Sequence, residues 1–232
     1  MEGLSQLVTS RFSFGPGHDT KSDLASLPVP LEFYYELVDV FNNPSLFEAA
    51  HFQKYPIDVI LQYLKCTHQF YLERRLGEIE LSIENLVRNN EQGEHWFEFL
   101  HRFFETYKTE LTEHILDEEE NLFPYIDALL LAEQKKEVHF QFSQKIKLIN
   151  FLLRHDHQIE DDLRKVVRIL GEKSGQFEDS FSFRMLMIQL KNFELDLAIH
   201  ARMEEEVLMP KALELEKEIL NNAKIPLKGG DV

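Results

Sequence analysis

The chain has 232 residues, 44% of them apolar, and its 41 acidic and 25 basic side chains give a formal net charge of −16. That apolar content supports a full-sized core and excludes a disordered chain. A surface this acidic repels nucleic acid and anionic lipid, so neither nucleic acid nor membrane is expected as a partner. The single cysteine, Cys66, excludes an internal disulfide, a CxxC redox pair and a cysteine-rich zinc site.

Residues 1–28 are polar and rich in Ser, Gly and Pro, and read as a loose arm. They contain no apolar stretch of signal-peptide length, and the most apolar run of the chain, 126–132, is far short of a membrane span. The expected location is therefore the cytoplasm. Residues 29–55 read as a short helical extension: LEFYYELVDVF at 31–41 is amphipathic, and Asn42, Asn43 and Pro44 end it. Residues 56–220 read as one helical domain that opens on Pro56, and 221–232 as a tail.

Four long helical stripes occupy that domain, each traced by steps of three and four residues. The first runs Ile57, Leu61, Leu64, His68, Leu72, Leu76, Ile79, Ile83, Leu86. The second runs Trp96, Leu100, Phe103, Tyr107, Leu111, His114, Glu118, Leu122. The third runs Leu148, Leu152, His155, Ile159, Leu163, Val166, Leu170. The fourth runs Leu186, Leu190, Phe193, Leu197, His200, Glu204, Leu208. The breaks, at 89–93, near 134–137 and at 171–175, are short. Short connections favour antiparallel neighbours, so the expected fold is all-α, an up-down-up-down four-helix bundle with an extra N-terminal helix.

Each stripe carries one inward histidine, and in the second and fourth a glutamate follows four residues later. HILDEEENLFP at 114–124 also repeats as HARMEEEVLMP at 200–210, matching in the His, the three Glu, the Leu and the Pro. Residues four apart on a helix differ by about 40° in direction and rise about 6 Å, so His114 and Glu118 aim at one centre, as do His200 and Glu204. An ionised glutamate on a core stripe is costly without a counter-charge, and no Lys or Arg occupies the matching inward positions. Metal cations resolve this, with carboxylates and neutral imidazoles as ligands. The candidate metal ligands are His68, His114, Glu118, His155, His200 and Glu204. Glu119, Glu120, Glu205 and Glu206 turn away from the histidines in an α-helical register and read as solvated. Trp96, Phe99, Phe103 and Tyr107 read as core, Cys66 as a minor packing residue, and His157 as a surface residue or one that stands behind the ligands, not a ligand itself.

With THQFY at 67–71, HILDEEENLFP, RHDHQ at 154–158 and HARMEEEVLMP, residues 55–218 resemble a hemerythrin-like domain. They are most similar to the di-iron proteins of the iron–sulfur-centre repair (RIC) family. The resemblance implies two iron ions, each with two histidines, bridged by Glu118 and Glu204, with an oxo or hydroxo bridge in the oxidised form. It implies binding of small diatomic ligands or oxidants, O2, NO or peroxide, in nitrosative or oxidative stress defence or iron–sulfur repair, with an iron–sulfur or other client protein as partner. A sensing or binding module that signals to a partner without turnover is the alternative, and the chain would be a monomer or homodimer. Oxygen-carrying hemerythrins have a further His one turn after His155, where this chain has Ile159. Many repair proteins carry an N-terminal cysteine pair, whereas the first 55 residues here contain no cysteine.

Overall fold

The structure is a computed structural model that describes residues 8–12, 27–89, 94–135, 148, 158–173 and 180–223. The all-α expectation holds: the described residues form helices and short connections, with no strand among them. None of these helices is long and apolar enough to cross a membrane.

Helix α1, Leu31–Asn42, turns Phe33, Tyr34, Leu37, Val40 and Phe41 inward, as its amphipathic pattern requires. Asn43 ends it and its side chain accepts a hydrogen bond from the Ser45 amide, which starts a single 3-10 turn, Pro44–Leu46. A short helix α2, Ala49–Gln53, follows. This extension is fastened to the far end of the chain. Lys211 donates to the Gln53 carbonyl at 2.7 Å, and the Arg202 guanidinium lies 4.1 Å over the Phe47 ring.

Three long rods follow, and each changes pitch once. The first is α3, Ile57–Phe70, a π-helical turn Tyr71–Arg75, and α4, Leu76–Asn89. The second is α5, Glu94–Asp117, a π turn Glu118–Leu122, and α6, Phe123–Lys135. Helix α7, Gln158–Lys173, comes next. The last rod is α8, Phe181–Arg202, a π turn Met203–Leu208, and α9, Met209–Ala223. Ser180 caps α8 by accepting from the Phe183 amide. Helix α4 packs against α5 and α8, and α7 packs against the same two, so these four helices close a ring. Beyond the π turns, α6 packs against α3 and α9.

Three expectations are corrected by the packing. Residues 8–12, assigned to the loose arm, form a helical turn in which Val8, Arg11 and Phe12 are buried. On α5 the buried face is Phe97, Leu100, Phe104, Tyr107 and Leu111, while Trp96 and Phe99 are 38% and 53% exposed. Residues 171–173, expected to belong to a break, still lie in α7, which runs to Lys173.

The buried apolar residues fall into two clusters. One gathers Phe33, Phe52, Tyr63, Leu64, Leu122, Ile126, Met203 and Leu208 with their neighbours. The other gathers Phe70, Ile83, Phe104, Leu111, Ile115, Leu190 and Leu197 with theirs. The chain crosses from one cluster to the other at 64–70, 115–122 and 197–199, beside or at the levels of His68, Glu118 and His200. Buried polar groups, each burying what water would otherwise solvate, thus sit between two apolar halves.

Candidate metal centre

His68 lies three residues before the first π turn, Glu118 opens the second, and His200 and Glu204 flank the start of the third. A π turn closes i→i+5 hydrogen bonds and so inserts a residue into the helical register; such turns are rare and concentrate at functional sites. Here all three stand beside candidate ligands.

His68, Glu118 and His200 are buried together and converge within 4.8 Å, a group that could hold a metal ion. The Nε2 atoms of His68 and His200 are 3.2 Å apart, and His68 Nε2 is 3.1 Å from Glu118 Oε2. Two neutral imidazoles that face each other through lone pairs repel, so this approach needs a proton or a cation between them. The other oxygen of Glu118, Oε1, is 3.0 Å from His114 Nε2. Glu118 therefore spans two imidazoles, one oxygen to each. His114 is a quarter exposed, and Glu204 is buried one turn after His200. His155, the remaining expected ligand, lies outside the described residues.

The electrostatics follow from burial and pairing. Burial opposes the Glu118 carboxylate, but the bonds to His114 and His68 outweigh it and hold its pKa far below the usual carboxylate range. Burial likewise opposes charge on His68, and the bonds to Glu118 and Glu119 outweigh it, raising its pKa. His200 is pushed well below an ordinary imidazole, first by burial and then by the neighbouring His68. A neutral His200, an ionised Glu118 and a His68 whose proton would be released to solvent on metal binding form the donor set a metal cation requires.

A second polar network adjoins the first. Asp196, one turn before His200, accepts two hydrogen bonds from Arg11, both at 3.0 Å, and one from the Tyr71 hydroxyl at 2.9 Å. Arg11 also donates to the Tyr63 hydroxyl at 3.0 Å, and its guanidinium lies 4.6 Å over the Phe41 ring. The Tyr71 ring meets the His200 ring edge-on at 5.9 Å. Burial pushes the Tyr63 hydroxyl up to about 12 and Tyr71 well above its ordinary value, so both stay protonated, Tyr71 donating to Asp196 and Tyr63 accepting from Arg11.

Sequence reasoning missed Arg11, Tyr71 and Asp196. Asp196 carried a signal, an acidic residue four before His200 on the same stripe. Arg11 carried none, because its partner is far away in sequence. Arg75 is also buried, against Phe70, so two arginines do enter the interior, which the stripes gave no reason to expect. The solvated reading holds for Glu120, whereas Glu206 is partly buried and pairs with Arg202. It fails for Glu119, whose Oε1 lies 3.0 Å from His68 Nδ1. The π turn beginning at Glu118 is the physical reason: the uniform α-helical rotation that sent Glu119 to solvent does not apply there. Glu205 is likewise only partly exposed.

Comparison with protein-family models, with curated proteins and with solved structures gave no match to this chain.

Proposed function

We propose that this chain is a non-haem di-iron protein of the hemerythrin-like kind, an antiparallel four-helix bundle that binds or transforms O2, NO or peroxide in the cytoplasm. Its role would lie in nitrosative or oxidative stress defence or in the repair of iron–sulfur centres. The ligands would be His68, His114, Glu118, His155, His200 and Glu204. The observation that carries the reading is the disposition of Glu118. A buried carboxylate that offers one oxygen toward His114 and the other toward His68 would be able to hold two cations, each beside its own imidazole. The approach of His200 to His68 supplies a second imidazole on the His68 side. The ring of contacts among α4, α5, α7 and α8 supports the bundle topology, and the repeat in sequence supports a matching role for Glu204.

Paired irons supply redox-active positions for small ligands. The protein's own residues hold the charge balance around them: the two apolar clusters keep water from both sides of the layer, and Glu118 stays ionised across the neutral range. Imidazole-rich sites also accept zinc and manganese, so the choice of iron is tested directly. Protein reconstituted with ferrous iron is expected to hold two irons per chain and to show optical bands of a coupled ferric pair on oxidation. Reproducible saturation at one iron rules out the dinuclear reading. Consumption of NO or peroxide by the reduced protein marks a reactive centre, whereas reversible binding without consumption marks a sensing module.

A further inference from the structure

Three sides of the His68 ring are held. The ring stacks on Phe123, with centroids 5.1 Å apart and planes within 11° of parallel. Its Nε2 faces Glu118 and His200. Its Nδ1, on the opposite edge, lies 3.0 Å from Glu119 Oε1. His68 is 1% exposed and the Glu119 side chain 33% exposed, so the carboxylate reaches inward from the rim of the layer.

We infer that Glu119 is the positioning residue of His68, resting on the metal reading above: it fixes the proton on Nδ1 and thereby presents the Nε2 lone pair to the metal. An ionised carboxylate only accepts hydrogen bonds, so Nδ1 carries a hydrogen toward Glu119, whereas Nε2, which also faces a carboxylate oxygen, gives up its own hydrogen only where a cation sits between it and Glu118. In a neutral ring the other nitrogen is then bare. The opposite tautomer would set the Nδ1 lone pair against a carboxylate oxygen, and the two would repel. Glu119 is not itself a ligand of that cation, because the whole ring stands between its oxygen and the point where His68, Glu118 and His200 converge. A carboxylate behind a ligating histidine orients the ring and raises its basicity. The second π turn makes this possible, since it lets two successive glutamates serve the two nitrogens of one imidazole, Glu118 at Nε2 and Glu119 at Nδ1.

The test uses the full chain with zinc(II), which is diamagnetic, as the probe. Zinc affinity is measured by competition with a chelator, and the His68 ring nitrogens by 15N NMR of the zinc-loaded protein. Wild type is expected to show a hydrogen on Nδ1 of His68, shifted downfield by its carboxylate partner. Glu119→Ala should bind zinc about 10- to 100-fold more weakly and lose the downfield shift. Its circular dichroism should be unchanged, since the residue is partly exposed. Glu119→Gln should recover part of the affinity, because its amide oxygen accepts the same hydrogen bond without the charge. Glu120→Gln, at the next and exposed position, should match wild type. If wild type takes up zinc, and Glu119→Ala takes it up as tightly with the His68 resonances unmoved, the inference is overturned and the metal reading stands. A His68 bound to zinc through Nδ1 overturns it equally. If wild type takes up no zinc or iron at all, the metal reading fails and this inference with it.

Discussion

Arg11 and Asp196 stand 185 residues apart in the sequence and form a bidentate ion pair with both side chains sealed from solvent. One partner comes from a short turn near the N-terminus, the other from the helix that carries His200. The pair therefore ties the beginning of the chain to the layer in which the candidate ligands lie.

Breaking a buried pair strands the remaining charge, at a cost of about 3–5 kcal/mol, whereas replacing both partners with apolar groups is often neutral. Arg11→Met and Asp196→Leu should each destabilise the protein strongly in urea denaturation. The double variant Arg11→Met with Asp196→Leu should lose less than the sum of the two. Additive effects in this double-mutant cycle would show that the two side chains do not act as a unit.

Glu118→Gln keeps the size of the side chain and removes the charge that spans His68 and His114. Iron content after reconstitution should drop below one per chain while helicity by circular dichroism holds. Glu120→Gln removes a charge from the same turn at an exposed position and should keep both irons. Equal iron in the two variants would contradict the bridging role of Glu118.

The pH dependence of stability should differ with and without metal. His68 has a folded pKa above its ordinary 6.5, so its contribution is complete below 6.5 and fades as pH rises through the folded value. Glu118 has a folded pKa below its ordinary 4.5, so its contribution is complete above 4.5 and fades as pH falls toward the folded value. His200 has a folded pKa below its ordinary 6.5, so its contribution is complete above 6.5 and fades as pH falls. Chelator-treated protein should therefore be most stable near pH 6.5, where the contributions of His68, His200 and Glu118 are all largely intact. Metal needs His68 neutral, so metal-loaded protein should have its optimum at higher pH. Melting temperatures from about pH 4 to about pH 9, a range that spans the reference carboxylate and imidazole values, read both curves. Coincident optima would count against metal at His68.

The register of α5 has its own test. Phe104 is fully buried, and Phe104→Ala should cost about 3–5 kcal/mol. Phe99 is more than half exposed, and Phe99→Ser should stay within about 0.5 kcal/mol of wild type. The reverse order would restore the aromatic stripe as the core face.

These residues also mark where sequence was readable. Every position of the fourth stripe, from Leu186 to Leu208, is buried, because apolar residues recur there with few competitors. On α5 the aromatics are so dense that two stripes offset by one residue both satisfy steps of three and four, and only packing selects the one through Phe97 and Phe104. His68, Glu118 and His200 were legible because they interrupt apolar faces. Glu119 was not, because a π turn breaks the arithmetic that periodicity depends on. Arg11 was not, because its meaning lies wholly in a distant carboxylate.

The polar layer has a consequence for how the molecule comes apart. Each apolar cluster has its own set of side-chain contacts, and the three rods that join them each carry a π turn at or beside the junction. Hydrophobic burial, which is local and non-directional, does not by itself couple one half to the other. The coupling falls to the ions of the layer: Arg11 with Asp196, the imidazoles with Glu118, and any cation they share. Cooperativity thus becomes a property of the charged groups rather than of the oil on either side. With the layer intact the protein should unfold as one unit. With its ion pairs broken the two halves are free to melt separately, and a single transition would divide into two.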